Sequence, residues 1–160
     1  MSWSGADSRM NTISIEVAFT LDTTIEEVID NFELLGDWEE RFSYLIELGK
    51  KLPALDPDDM VEEHRVNGCQ ASVWLRILPG TNDTYNIHAD SDAFIVKGLI
   101  AVLLLIYNGK TAKQILDTNS SKVFEQLGLD KHLSPTRRNG LHSMVNRVHS
   151  ITNDSINQAS

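Results

Sequence analysis

Residues 73–107 read VWLRILPGTNDTYNIHADSDAFIVKGLIAVLLLIY, and along them the apolar residues change from every second position to nearly every position. Alternation on both sides of the turn-forming segment 79–83 predicts an antiparallel β-hairpin. Asp90-Ser91-Asp92 has the composition of a helix N-cap, so Asp92 is predicted to cap a helix over 93–107. Because that helix is apolar on almost all sides, we expect it in the centre of the protein.

Helix signals lie on both sides of this stretch. Thr24 and Asp37 are each followed three residues later by glutamate, which predicts two helices with capping-box starts, joined as an antiparallel pair. Residues 64–67 are predicted to supply a third, shorter strand. Downstream, three further helices are predicted to begin near Thr111, Ser121 and Ser134-Pro135.

These elements predict one α+β domain, in which helices pack on one face of a small antiparallel sheet of about three strands. The domain is expected to span residues 21–152. Residues 1–20 are interpreted as a partly flexible N-terminal extension, and residues 153–160 as a polar tail that frays.

The charge balance limits the classes of partner. The 160 residues carry a formal net charge of -9, from 23 acidic and 14 basic side chains. Such a surface repels phosphate backbones and anionic lipid, so we expect neither nucleic acid nor a membrane as partner. Residues 1–12 lack the apolar core of a secretion signal. The most apolar run, 99–106, is far shorter than the roughly 20 residues that span a bilayer, which favours a soluble, cytoplasmic protein.

Cys69 is the single cysteine of the chain. One cysteine excludes an internal disulfide, a cysteine-based zinc site and an iron–sulfur cluster held by this chain alone. A structural cysteine usually lies in the middle of an apolar element, whereas Cys69 follows Gly68 between two strand-like segments. Since glycine reaches backbone angles closed to other residues, the pair indicates a thiol displayed at a bend. Position therefore favours a chemical role for Cys69.

Other uses of the thiol have less support. A cysteine–histidine hydrolase would need a base such as His64 or His88 beside Cys69, and no catalytic signature surrounds the cysteine. His142 and His149 share a helix face but lack a third ligand, so they are interpreted as surface residues and no metal site is expected. A partner- or ligand-binding domain with an inert Cys69 is the alternative that stays open.

Three motifs, VNGCQASVWL, HADSDAFIVKGLIAVLLLIYNGKT and LSPTRRNGLHSM, occur in this order along the chain. Together they resemble the SufE family of sulfur-acceptor proteins, whose α+β fold is similar to that of the NifU-like iron–sulfur scaffold proteins. The resemblance implies an accessory protein rather than a self-sufficient enzyme. Such a protein takes sulfane sulfur from a SufS-type cysteine desulfurase, stimulates that desulfurase, and delivers the sulfur for iron–sulfur cluster assembly.

The resemblance also implies roles for individual residues. The persulfide acceptor falls on Cys69, with Gly68 and Gln70 beside it, while Asp92 and Arg137 fall in turns that support the loop or contact the partner. No cofactor is implied for this chain, since the pyridoxal phosphate belongs to the desulfurase; an iron–sulfur scaffold is the implied downstream partner. If Arg137 and the N-terminus of the 93–107 helix fold near the thiol, both favour the thiolate.

The chain departs from the family pattern at two positions. Ala71 stands where many members carry serine, and Arg138 stands where relatives often have a small or polar residue. Neither position is the acceptor, so the departures concern the hydrogen bonding of the loop.

Overall fold

A computed structural model of the chain describes residues 23–68 and 71–159, with side chains described as far as Ile156. The predicted extension, residues 1–20, lies outside the described residues. Helix α1 is Ile25–Leu34 and helix α2 is Trp38–Lys50. Both predicted starts are confirmed, because Thr24 Oγ1 accepts from the N–H of Glu27 at 3.2 Å and Asp37 Oδ1 accepts from the N–H of Glu40 at 2.8 Å.

The predicted β-hairpin is confirmed. Strand β1, Val73–Pro79, pairs antiparallel with strand β2, Thr84–Ser91, and Val73 lies opposite Ser91. Alternate residues of this pair, Leu75 and Ala89 among them, are buried on the face that meets the helices.

The third strand is not where the sequence predicted it. The sheet has the order β1-β2-β3, and β3 is Lys110–Thr111, which pairs with the start of β2. The predicted strand at 64–67 instead follows a short 3-10 turn, Glu62–His64, and forms a single bridge between Arg65 and Trp74. That prediction was wrong because the 3-10 turn includes His64 and the left-handed Gly68 follows Asn67, so only residues 65–67 remain between them, and of these only Arg65 forms a bridge with β1.

Helix α3, Phe94–Tyr107, is the central apolar helix, and ten of its fourteen residues are buried. Its predicted cap was wrong. Ala93 occupies the N-cap position without a side-chain hydrogen bond, and Asp90 and Ser91 belong to β2. Asp92 Oδ1 accepts from the N–H of Ser72 at 3.1 Å, so this carboxylate is used by a loop distant in sequence rather than by the helix.

Helices α2 and α3 pack backbone against backbone. A Cβ added to Gly98 would lie 2.4 Å from the carbonyl oxygen of Leu45, and one added to Gly49 would lie 2.5 Å from the backbone nitrogen of Gly98. Real Cβ atoms do not approach that closely. The two glycines therefore set the distance between these helices.

Four helices complete the described chain: α4 Ala112–Asp117, α5 Ser120–Leu127, α6 Leu129–His132 and α7 Pro135–Ala159. The capping box predicted at Thr111 is confirmed. The four-residue helix α6 was not predicted. The tail predicted to fray, residues 153–160, follows Thr152 and is helical as far as Ala159. The Thr152 hydroxyl is buried and donates to the carbonyl of Val148 at 2.7 Å.

The architecture is the predicted α+β class, with seven helices and a three-stranded antiparallel sheet among the described residues. Within residues 23–68 and 71–159, no helix combines the length and apolar character needed to cross a membrane.

Candidate functional site

The segment 67–72, named here the Cys69 loop, lies in the chain between the bridge residue Arg65 and strand β1. Its base is closed by the N–H of Val66, which donates to the carbonyl of Val73 at 2.9 Å. Cys69 and Gln70, two of the predicted site residues, lie outside the described residues. The site is therefore defined by the residues that flank them in the chain, Gly68 and Ala71.

Gly68, the predicted glycine before the cysteine, has a conformation that favours glycine. Its φ is +91°, in the left-handed region. Its Cα also lies against helix α7, because an added Cβ would be 2.6 Å from Ser143 Oγ. Both observations agree with the expected bend at this position.

The other side of the Cys69 loop is anchored by Ser72. Its N–H donates to Asp92 Oδ1 at 3.1 Å, and its carbonyl accepts from the Ser91 hydroxyl at 2.7 Å and from the N–H of Asp92 at 3.3 Å. Ser91 Oγ also accepts from the N–H of Ala93 at 3.2 Å. Asp92, a predicted site residue, therefore joins the loop to the corner between β2 and α3.

Asp90 holds that corner in place from inside. Its carboxylate is almost fully buried and accepts from the N–H groups of Leu55, at 3.1 Å, and Ser91, at 2.8 Å. Lys97 Nζ lies 3.4 Å from Asp90 Oδ1. The cation and the two N–H donors offset the free-energy cost of burying this carboxylate. Removing either charge would leave the other buried without its partner, which is costly.

A cavity of about 210 Å³ lies between the Cys69 loop, the start of α3 and the first turns of α7. Arg137, the remaining predicted site residue, lines it together with Ala71, which is two residues after Cys69. The rest of the lining is small or apolar apart from one threonine: Ala93, Val96, Leu99, Thr136, Gly140, Leu141 and Met144. The structure thus brings Arg137 and the N-terminal end of α3 to the same cavity.

Successive turns of helix α7 face Glu63, Gly68 and Ala71. Arg147 Nη2 donates to the carbonyl of Glu63 at 2.7 Å, Ser143 faces Gly68, and Gly140 lines the cavity with Ala71. Sequence reasoning missed Ser143 and Gly140. Their signal was available, since small residues three apart on a helix face let another backbone approach closely.

The electrostatics of the cavity favour an anion. Arg137 is exposed and places a guanidinium group at the rim, and the N-terminal end of α3 carries the positive end of the helix dipole.

The histidines occupy separate environments. His64 Nδ1 lies 2.7 Å from the carbonyl oxygen of Asp59. Burial, reinforced by the nearby Arg76 guanidinium, lowers the pKa of His88, and burial also lowers the pKa of His149. His149 Nε2 lies 3.1 Å from the hydroxyl of Tyr107. In the part of the chain that the structure describes, no group of three or more histidine, cysteine or acidic side chains could hold a metal ion.

Comparisons with known proteins agree with this fold. The SufE family profile, described as an Fe-S metabolism associated domain, matches residues 26–152. An uncharacterized SufE-like protein of Rhizobium meliloti is 40% identical over 132 residues, which cover 80% of this chain and 94% of that relative. One from Rhizobium etli is 42% identical over 129 residues, covering 78% and 86% respectively.

A solved structure shares the architecture. The solution structure of a hypothetical protein from Thermus thermophilus has a TM-score of 0.67, with 21% identity, and the match covers 83% of this chain and 96% of that one. The class is thus an α+β protein with a single cysteine in a loop anchored on both sides. The chain belongs to the SufE family, and this membership places it in iron–sulfur metabolism.

Proposed function

We propose that this protein is a sulfur carrier that accepts sulfane sulfur from a pyridoxal-phosphate cysteine desulfurase as a persulfide on Cys69. The observation that carries the proposal is the SufE match over residues 26–152, which includes the chain's single cysteine. The flanks of the loop support it, because Gly68 lies against Ser143 and Ser72 is hydrogen-bonded to Asp92, on either side of the short segment that carries the thiol.

The proposed step is a thiol exchange. The thiolate of Cys69 attacks the outer sulfur of a persulfide on the desulfurase. A sulfur–sulfur bond forms on Cys69 as the sulfur–sulfur bond of the donor breaks, and the donor cysteine leaves as a thiolate. Charge and atoms balance without an external oxidant or reductant. A second exchange, with the outer sulfur as the atom attacked, passes it to the assembly machinery.

The cavity supports the storage stage. Its side walls include Val96, Leu99 and Met144, and a persulfide resting there would be shielded from thiol reductants between partners. Arg137 at the rim and the N-terminal end of α3 would stabilise the sulfur in its anionic form, which is the attacking species. We assign Asp92 to bracing the loop through Ser72, and Gly68 and Gln70 to its bend.

The chain is proposed to act with its partners rather than alone. The desulfurase supplies the pyridoxal phosphate, this protein stimulates it by removing sulfur, and an iron–sulfur scaffold receives the product. A carrier with a free thiol suits a reducing compartment, so we propose the cytoplasm as its place of action.

Stimulation of the desulfurase tests the proposal. Purified SufS-type desulfurase would be given L-cysteine, and alanine formation would be measured with and without this protein. Wild-type protein is expected to raise turnover, and Cys69→Ser is expected not to. Equal stimulation by both proteins would contradict a role for the thiol. If neither stimulates and folded Cys69 resists iodoacetamide, the inert-cysteine alternative is supported instead.

A further inference from the structure

We infer that a second cavity, between helices α5, α6 and α7, binds a small zwitterion of the α-amino acid class with an apolar side chain. This cavity has a volume of about 410 Å³, within the range of about 300–1,000 Å³ that is typical of small-molecule sites. It shares one lining residue, Leu141, with the first cavity, beside the Cys69 loop. Arg137 lines the first cavity and Arg138 lines the second, so the first turns of α7 border both.

One part of the lining of the second cavity is apolar. Phe124, Leu133 and Leu141 line it, and each of them is almost fully buried. Such side chains are held in place by the close packing of the core, so the apolar surface is already formed before a ligand arrives. An apolar group placed against this surface is removed from water, which is favourable. The side chain of the ligand is therefore expected here.

The cavity also has charges of both signs. Lys122 and Glu125 on α5, Asp130 on α6 and Arg138 on α7 line it. None of these four side chains forms an ion pair within residues 23–68 and 71–159. A ligand with one positive and one negative group can therefore engage both signs at once without displacing an ion pair of the protein.

Arg138 is positioned to bind the carboxylate of the ligand. Its side chain is half-buried, and Nη1 donates to the carbonyl of Asp130 at 2.7 Å. This bond orients the guanidinium group and leaves other N–H donors of its planar fork, whose geometry matches a carboxylate. Arg138 is also a position at which the sequence departs from the family pattern, so the carboxylate-binding group is expected to be absent from many relatives.

Asp130 supplies the acceptor for the ammonium group. Its Oδ1 is buried and has no hydrogen-bond partner within the described residues, and a buried acceptor without a donor is costly. Turning the carboxylate toward the cavity breaks no hydrogen bond at Oδ1 and lets it accept from an ammonium group. Because the carbonyl of Asp130 holds Arg138, the two recognition groups are neighbours, as are the two charges of an α-amino acid.

Nuclear magnetic resonance titration of the isotope-labelled full chain with L-leucine tests this inference, because amide signals of α5 and the first turns of α7 should shift and saturate. N-acetyl-L-leucine lacks the ammonium group and L-leucinamide lacks the carboxylate, and each is expected to bind about tenfold more weakly. Arg138→Gln and Asp130→Asn are each expected to raise the Kd for L-leucine about tenfold. The matched control is Arg137→Gln, which removes a guanidinium group from the first cavity and is expected to leave Kd unchanged.

The same spectra show whether each variant is folded, and the two leucine analogues decide the question even where a variant is not. The absence of a saturable shift up to the solubility limit of L-leucine overturns the inference, as does equal binding of either analogue. A loss in Arg137→Gln with none in Arg138→Gln would place the ligand in the first cavity and also overturns it. None of these measurements involves the desulfurase, so the proposed function stands or falls separately.

Discussion

The two flanks of helix α3 are packed in opposite ways. Toward α2 the helix backbones touch, with Gly98 against Leu45 and Gly49 against Gly98. Toward α7 the same helix borders a cavity of about 210 Å³, lined by Val96 and Leu99 among others. Val96 and Gly98 are only two positions apart, yet Val96 lines the cavity and Gly98 belongs to the close-packed core.

The difference shows how a small protein holds a loop accurately while leaving room beside it. Protein interiors are as dense as organic crystals, so the α2 flank resists deformation. On the α7 flank the residues that line the cavity lack van der Waals contacts on that side, so this flank contributes less to stability. Substitutions on the first flank should therefore change stability, whereas substitutions on the second should change sulfur transfer.

The largest effect is expected at Gly98. Gly98→Ala places a Cβ 2.4 Å from a backbone oxygen, so α2 and α3 must separate, and we expect the free energy of unfolding to fall by about 3 kcal/mol. Urea denaturation measures it. Gly36→Ala is the matched control, because nothing lies within 4 Å of its added Cβ, and it should change stability by less than about 0.5 kcal/mol. Equal effects at both glycines would contradict close packing of this flank.

Gly68 provides the corresponding test on the cavity side. Gly68→Ala forces alanine to a φ of +91°, which costs about 1–2 kcal/mol. The loop can absorb part of that strain by moving, so we expect sulfur transfer from the desulfurase to fall by about tenfold or more. Adding Ser143→Ala removes the 2.6 Å contact but not the backbone strain, and is expected to recover the rate only in part. Full transfer by Gly68→Ala would show that the bend is not needed.

A smaller effect is expected at Asp92. Asp92→Ala removes the acceptor for the N–H of Ser72, and because Asp92 is exposed and water can replace it, we expect a loss of about 1 kcal/mol. Asp92→Asn keeps an oxygen acceptor and should lose less. Unfolding by urea and the rate of sulfur transfer are both measured. A transfer rate that is normal in Asp92→Ala would remove the bracing role assigned to this residue.

The smallest effect is a pH dependence that belongs to the scaffold. Burial lowers the pKa of His88 in the folded protein, so the folded state binds fewer protons than the unfolded state as pH falls below about 6.5. The contribution of neutral His88 to stability is complete above the pKa that this histidine has in the unfolded chain. It is lost as the pH falls through the lower pKa that His88 has in the folded protein. Denaturation of wild type and His88→Gln between about pH 7.5 and pH 5 is expected to show a shallower decline in the variant. A steeper decline in His88→Gln would reverse the sign of the contribution.

Local signals in the sequence were sufficient for most elements. The caps at Thr24, Asp37 and Thr111 were predicted because a side chain three residues from its backbone partner needs no tertiary information. The β-hairpin followed from alternation and its turn residues. The bend at Gly68 was predicted from the glycine that precedes Cys69, and Arg137 was proposed for the site through the family motifs.

Long-range contacts explain the failures. Asp92 has the composition of a helix cap, but Ser72, twenty positions earlier, uses its carboxylate. The third strand lies at Lys110–Thr111, where the segment that follows α3 pairs with the start of β2, a contact between residues more than twenty positions apart. The small residues Gly140 and Ser143 mark a face of α7 that another backbone can approach, but the sequence does not say which segment approaches it, so the contact of Ser143 with Gly68 could not be predicted.

The most direct test of the central claim is the intact mass of the protein after incubation with a SufS-type desulfurase and L-cysteine. Wild-type protein is expected to gain the mass of one sulfur atom, on a peptide that contains Cys69, and to lose it on treatment with a thiol reductant. Cys69→Ser is expected to gain nothing. An unchanged wild-type mass, or an equal gain in Cys69→Ser, would contradict the assignment of Cys69 as the persulfide acceptor.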